Sequence, residues 1–290
     1  MLALIGSLLA FTAGIVTAES WHTAKKPAVA VLPVQKIVTV PPPAAAGTVI
    51  VPPLEASEVV FANGRLRTVP REIKLKSERM QYDIEARYPE IVGSNERHIN
   101  NLNRRIRDLA EESYWSLQSP AREDLAYFRK SHAGELNTSD LDYEIVLATD
   151  SFLSIYFDSY TYILGAAHSS ETSYVINYDL VARKELKLVD IFKRDSGYLN
   201  VIAWYCTQEL KKSPGSAGYL FSEGIPAKTE TFKSWNLTRD GISFNFDACD
   251  YLACAAGKQR VNIPYSVLSP FMKRPLVDGE SLIQYAPRGF

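Results

Sequence analysis

Three cysteines and four histidines carry the sharpest intrinsic chemistry in this 290-residue chain. Cys249 and Cys254 have four residues between them, in a segment separating two strand-like runs. In an oxidising compartment such a pair closes a short disulfide across its loop. Unpaired structural thiols and a metal site are the alternatives. Against metal, Asp247 and Asp250 are hard ligands and no His lies close in sequence, whereas zinc takes four soft or borderline donors. Cys206 falls on the apolar stripe of a helical segment and reads as a buried free thiol. His168 sits in Gly165-Ala166-Ala167-His168-Ser169-Ser170-Glu171, where an imidazole beside hydroxyls and a carboxylate invites comparison with nucleophilic catalysis. No G-x-S-x-G elbow surrounds Ser169 or Ser170, and no orienting acid is identifiable. The loop therefore reads as structural or ligand-contacting, with His168, Ser169, Tyr160 and Tyr162 as candidate contacts and no catalytic residue expected. H-E-x-x-H, Walker-loop and dinucleotide patterns are absent from the sequence, so neither a cofactor nor a metal is expected. His22, His98 and His132 read as linker or helix-surface residues. Tyr156, Phe157, Tyr160 and Tyr162 precede the His168 loop. Strand alternation sends some of them inward and some outward, to a core or to an exposed aromatic platform.

The elements that must position these residues are mixed. Met80, Tyr82, Ile84, Ala86 and Tyr88 alternate with Arg79, Gln81, Asp83, Glu85 and Arg87, which predicts a half-buried strand ended by Pro89. Before it, Asn63-Gly64 suits the turn of a short hairpin between Val59-Val60-Phe61 and Leu66. Ile99, Leu102, Ile106, Leu109, Ser113 and Leu117 recur at three- and four-residue steps. They predict an amphipathic helix capped at Ser94 or Asn95 and ended or kinked by Pro120. A further helical stretch is expected over about 121–131. From Leu141 the pattern turns to strands: 143–147, 152–157 and 173–180 are rich in β-branched and aromatic residues. Residues 197–212 return to helical spacing. Trp235–Thr238 and Ile242–Phe246 flank Arg239-Asp240-Gly241, a hairpin signal. A last strand, Arg260 to Ile263, precedes a short helix near Ser266 to Met272. The expected class is α+β, with largely antiparallel sheets packed with a few amphipathic helices.

With 46% hydrophobic and 22% charged residues the chain has material for a sizeable core. That material is unevenly placed. Residues 2–18 carry no charge and end in Val16-Thr17-Ala18, as a signal peptide or an N-terminal anchor would. Seven of the 16 prolines fall between Pro27 and Pro53, so 19–56 reads as a Pro/Ala-rich, semi-rigid linker. Beyond Ser57 there are 29 Lys and Arg against 31 Asp and Glu, a near-neutral balance that argues against nucleic acid as a partner. Membrane association is expected only through a retained N-terminal segment. The residues do not indicate an oligomeric state.

Several short motifs resemble a bacterial extracytoplasmic domain pair. They are Tyr88-Pro89-Glu90-Ile91 with Ile99-Asn100, Gly165-Ala166-Ala167-His168, Asn177-Tyr178-Asp179-Leu180, Leu188-Val189-Asp190-Ile191-Phe192, and Ala255-Ala256-Gly257 with Val261-Asn262-Ile263-Pro264-Tyr265. Over about residues 70–272 the order and spacing resemble the ectodomain of the lysozyme-sensing anti-sigma factor RsiV. The first half also resembles the N-terminal non-catalytic domain of the peptidoglycan deacetylase PdaC. The resemblance implies halves at 57–135 and 136–290. It further implies an exported, non-catalytic cell-envelope binding domain, periplasmic or secreted, whose partner is peptidoglycan or a wall-active protein such as lysozyme. A hydrolase using His168 with neighbouring Ser or Glu, and a purely structural envelope protein, are the competing expectations.

Overall fold

The computed structural model describes residues 59–61, 64–118, 134–213 and 224–274. The signal-like segment 1–18, the linker 19–56, the helical stretch expected near 121–131, His22, Asn63 and His132 lie outside the described residues. The larger of two sheets has seven strands in chain order: β1 (Val59–Val60), β2 (Arg67–Ser77), β3 (Tyr82–Val92), β4 (Asn137–Ala148), β5 (Phe152–Tyr162), β6 (Ser170–Asp179) and β7 (Lys184–Glu185). Adjacent strands are antiparallel except β3 and β4, which run parallel. A parallel step needs a crossover, and the helix α1 (Arg97–Gln118) lies within that connection. The smaller sheet, in the order β10–β9–β8, comprises β8 (Trp235–Leu237), β9 (Gly241–Phe246) and β10 (Gln259–Pro264). Around it lie α2 (Leu188–Ile191), α3 (Tyr198–Leu210) and α4 (Tyr265–Leu268). The arrangement is α+β. The larger sheet continues across residue 135, so strands from both expected halves share it. Among the described residues, no helix is long and apolar enough to cross a membrane.

Two expectations are corrected by this sheet. Pro89 does not end β3, which runs on to Val92 and sets Pro89 directly opposite Pro70 of β2. Two facing prolines are compatible with an antiparallel ladder at a non-hydrogen-bonded pair, where amide positions point away from the partner strand. Pro89 also lies beyond Ala86↔Leu141, the last β3–β4 pair, so its missing donor costs no bond on that side. The second correction concerns His98, which is not a plain surface residue. Its ring stacks on Tyr178 of β6 with centroids 6.4 Å apart and planes 7° from parallel.

Two apolar cores follow from the two sheets. In the first, Ile99, Leu102, Ile106 and Leu109 of α1 pack on Ala86, Tyr88, Leu141, Leu153, Ile155, Phe157 and Ile176. Asn103 fastens the same helix to β3 by a pair of 2.8 Å bonds, its amide donating to the Ile91 carbonyl and its oxygen accepting from the Ile91 N–H. In the second, Ile202, Ala203, Cys206 and Leu210 of α3 pack on Trp235, Leu237, Ile242, Phe244, Val261 and Ile263. Each Leu, Ile, Val or Phe among them, once fully buried, contributes roughly 1.5–3 kcal/mol. Burial pushes the Cys206 thiol up, so it is held as the inert neutral form.

Leu147 and Phe152 of the larger sheet join the second core, and beside them a buried polar network links the two sheets. Ser154 donates to the Asn177 side-chain oxygen at 2.6 Å, and Asn177 donates to the Trp235 carbonyl, also at 2.6 Å. Asn236 donates to the Ser154 hydroxyl at 2.9 Å and to the Ile155 carbonyl at 3.1 Å, and accepts from Asn245 at 2.9 Å. This buried network sets where the smaller sheet lies on the larger one, and hence which part of the larger sheet stays open.

Candidate functional site

The face of the larger sheet turned away from α1 is covered at one end by the smaller sheet and its loops. The rest forms an open groove of about 350 Å³ lined by Glu85, Arg87, Asp140, Asp142, Asp158, Tyr160 and Glu171, with Leu141 beneath. Strand alternation explains its make-up. Leu141, Tyr143 and Ile145 of β4 pack toward the α1 core. The intervening Asp140, Asp142 and Glu144 must then point the other way. On β5 the same rule sends Leu153, Ile155 and Phe157 to the core. Tyr156, Asp158, Tyr160 and Tyr162 are consequently set on the opposite face.

Cross-strand register turns these residues into rows. Glu85 pairs with Asp140, Asp140 with Tyr160, and Tyr160 with Glu171, one row across β3 to β6. In the next row Asp142 pairs with Asp158 and Asp158 with Ser173. Arg87 donates to Asp142, Lys258 to Asp158, and Lys74 lies 3.2 Å from Glu85. Among the described residues, no Lys or Arg pairs with Asp140 or Glu171. Partial burial, reinforced by the Glu85 and Asp83 charges, holds the Asp140 carboxyl above the ordinary carboxylate range. Tyr160 is 39% exposed, so its ring is available at the middle of the first row.

The loop 247–258 closes the covered end. Arg260 lies over the Tyr156 ring, 4.5 Å from its centroid, and donates to Glu144 at 2.9 Å. The Tyr156 hydroxyl shares a 2.8 Å bond with Ser173, which in turn donates to Asp247. Burial is the main cause that raises the Tyr156 phenol. A Cys249–Cys254 disulfide pins this loop. Cys249 occupies the left-handed region at φ 73°, a conformation uncommon for a residue with a Cβ. Opening the bridge by replacing both cysteines with Ser should cost about 2 kcal/mol through the short closed loop. At this chain size that is a fall in Tm of roughly 4–8 °C. Thermal unfolding with and without reductant checks it, and coincident curves would show that the bridge contributes nothing.

The structure separates the four candidate contacts. Tyr160 lies in the groove, and Tyr162 follows it on the same face at the end of β5. Phe157, from the same aromatic run, is in the core with no exposed surface. His168 and Ser169 belong to the β5–β6 loop, and the His168 Nδ1 lies 2.8 Å from the Ser169 backbone oxygen. That contact uses a peptide carbonyl, so it neither activates the Ser169 hydroxyl nor engages a carboxylate. Among the described residues, no three His, Cys, Asp or Glu side chains converge closely enough to hold a metal ion. The acidic residues of the groove were not singled out from the sequence. A signal lies in the alternation of Asp140, Asp142 and Glu144 with Leu141, Tyr143 and Ile145, but the strand expected at 143–147 includes only Glu144 of the three acids, whereas β4 spans Asn137–Ala148.

The groove and its rim fall in two separately recognisable stretches. Residues 75–171 match the family model described as Deacetylase PdaC, and residues 189–266 match one described as a protein of unknown function, DUF3298. The groove-lining residues all lie in the first stretch, and the disulfide loop lies in the second. Over 151 residues, 51% of this chain, the sequence is 32% identical to the peptidoglycan-N-acetylmuramic acid deacetylase PdaC of Bacillus subtilis (strain 168). The match spans 32% of that protein's length. A solved DUF3298-family structure from Bacteroides fragilis superposes with a TM-score of 0.51 at 15% identity, covering 72% of this chain and 93% of that one. It shares the fold. A DUF3298-family protein from Pseudomonas aeruginosa PAO1 gives 0.47 at 15% identity, covering 72% and 94%.

Proposed function

We propose that this PdaC-like, DUF3298-containing chain is an exported cell-envelope binding protein, non-catalytic in its own right, that uses the open groove to hold the glycan of peptidoglycan. The observation that carries this reading is the coincidence of two boundaries. The stretch matching the PdaC family model is the stretch that lines the groove, and a relative over that stretch acts on peptidoglycan. An exposed tyrosine ring among carboxylates suits a saccharide, because the ring packs on sugar C–H groups while the carboxylates accept from hydroxyls. The disulfide fits an oxidising compartment outside the cytoplasm. In this reading residues 1–18 direct export, 19–56 space the folded part from its point of attachment, and His168 and Ser169 border the ligand without reacting with it.

Retention of the purified chain on peptidoglycan sacculi is the direct test, with immobilised lysozyme as a parallel bait. Binding to sacculi is expected, weakened at least about tenfold by Tyr160→Ala, since truncating an aromatic anchor commonly costs more than 1 kcal/mol. Capture by lysozyme but not sacculi would transfer the groove to a wall-active protein and overturn the glycan reading. Retention on neither would overturn binding itself.

A further inference from the structure

We propose that the groove selects the free amine of a de-N-acetylated amino-sugar strand over its N-acetylated form, an inference that rests on the glycan-binding reading above. Five of the six charged residues lining the groove are acidic, and the sixth, Arg87, is already engaged by Asp142. Neighbouring strands lie about 4.8 Å apart, so the Asp140 and Glu171 side chains stand on either side of the Tyr160 ring. These two carboxylates are the ones with no cationic partner among the described residues. Glu85, directly opposite Asp140, is compensated by Lys74 at 3.2 Å, and Asp158 by Lys258, which leaves Asp140 and Glu171 as the uncompensated pair. Charge complementarity therefore calls for a cationic occupant.

The ring narrows the choice. A tyrosine face offers flat apolar surface to a pyranose and a negative quadrupole to an ammonium within about 6 Å of its centroid. A sugar bearing a free amine uses both at once and places its ammonium N–H donors between two carboxyl groups, the charge-assisted class of hydrogen bond. Acetylation removes that charge and brings a carbonyl oxygen toward the same carboxylates, where no donor awaits it. A lysine-like peptide amine meets the ring quadrupole with its charge but brings no pyranose face to lie flat on the ring. At about 350 Å³ the groove is at the small end of ligand sites and admits a short saccharide segment.

The full chain is titrated at mildly acid pH with three probes: a glucosamine oligosaccharide, its fully N-acetylated counterpart of equal length, and a peptide bearing a side-chain amine. The glucosamine oligomer should bind at least about tenfold more tightly than the acetylated one. In the double variant Asp140→Asn, Glu171→Gln that ratio should collapse toward one at unchanged Tm. In the unsubstituted protein, added salt should compress it as well. Equal affinity for the two glycans, or a ratio that survives the double variant, overturns amine selection while leaving glycan binding standing. Tighter binding of the peptide assigns the groove to peptide amines and overturns the proposal. Failure to bind either glycan, together with failure to bind sacculi, overturns both this inference and the reading beneath it.

Discussion

Replacing Asn177 by Ala should destabilise the protein by about 3 kcal/mol or more, because one buried amide serves three partners. Asn177 is 3% exposed and sits in β6, where the larger sheet meets the smaller. Its oxygen accepts from the Ser154 hydroxyl at 2.6 Å and from the Leu237 N–H at 3.2 Å, and its nitrogen donates to the Trp235 carbonyl at 2.6 Å. Truncation leaves two backbone groups of β8 and a hydroxyl of β5 without this partner in a buried seam. Each unsatisfied group costs roughly 1–3 kcal/mol. A fall in Tm of roughly 10 °C is expected. Hydrogen exchange should quicken first in β8 and β9 while α1 keeps its protection, because α1 belongs to the other core. A Tm within a degree or two of the parent would show that water substitutes fully for the amide. Groove binding should weaken in the same variant, since the smaller sheet carries the loop that closes one end.

Gly93→Ala should be as damaging, for a steric reason. Gly93 follows β3 with φ +100°, and a Cβ built on it falls 1.9 Å from the Arg65 carbonyl oxygen and 3.0 Å from its carbon. Both atoms are backbone, so relief requires moving the start of β2 away from the end of β3. The cost is placed at about 3 kcal/mol or above, combining left-handed strain with lost pairing. Gly64→Ala isolates the first contribution: its φ is +67°, but nothing lies within 4 Å of the added Cβ. That variant should lose only about 1 kcal/mol. Chemical denaturation of the pair reads the difference directly, and equal losses would refute the steric account.

Much of the fold was legible in the sequence because one face of each element is apolar. The alternation through Ile84, Ala86 and Tyr88 and the stripe Ile99, Leu102, Ile106, Leu109 both match buried faces, but the alternation fails at its start, where Met80 is exposed and Gln81 buried ahead of β3. The Asp-Gly hairpin lies between β8 and β9. β2 was not legible. Arg71, Glu72, Lys74 and Lys76 leave it mostly exposed, and Pro70 argues against a strand, yet it pairs with β3 along its whole length. Only cross-strand partners explain it: Arg71 reaches Glu90 and Lys76 reaches Asp83, both at 2.6 Å. β1 covers only Arg67 and Thr68 of β2, so the charges beyond them suit a strand edge that must not pair with other chains.

The short motifs changed meaning in the same way. Asn177 is an inter-sheet hub. Tyr178 stacks on His98, and Asp179 accepts from the Ala182 N–H at 2.6 Å and from Arg274 at 3.2 Å. These residues hold the frame, whereas the groove-lining residues all precede Asn177 in the chain.

The sequence by itself determined the α+β class, the positions of most elements, and the inward face of the strands and helices with a clear apolar stripe, since all three follow from periodicities of two and 3.6 along one chain. It also placed Cys249 and Cys254 close enough along the chain to bridge. What only the tertiary structure decided is which exposed residues stand together. Glu85, Asp140, Tyr160 and Glu171 come from four strands and span 87 residues of sequence, and their row exists because of inter-strand register. Register depends on pairing over long loops and on the polar seam that seats the smaller sheet. Neither leaves a periodic trace in the chain, so the site is a property of the assembled sheet and not of any one segment.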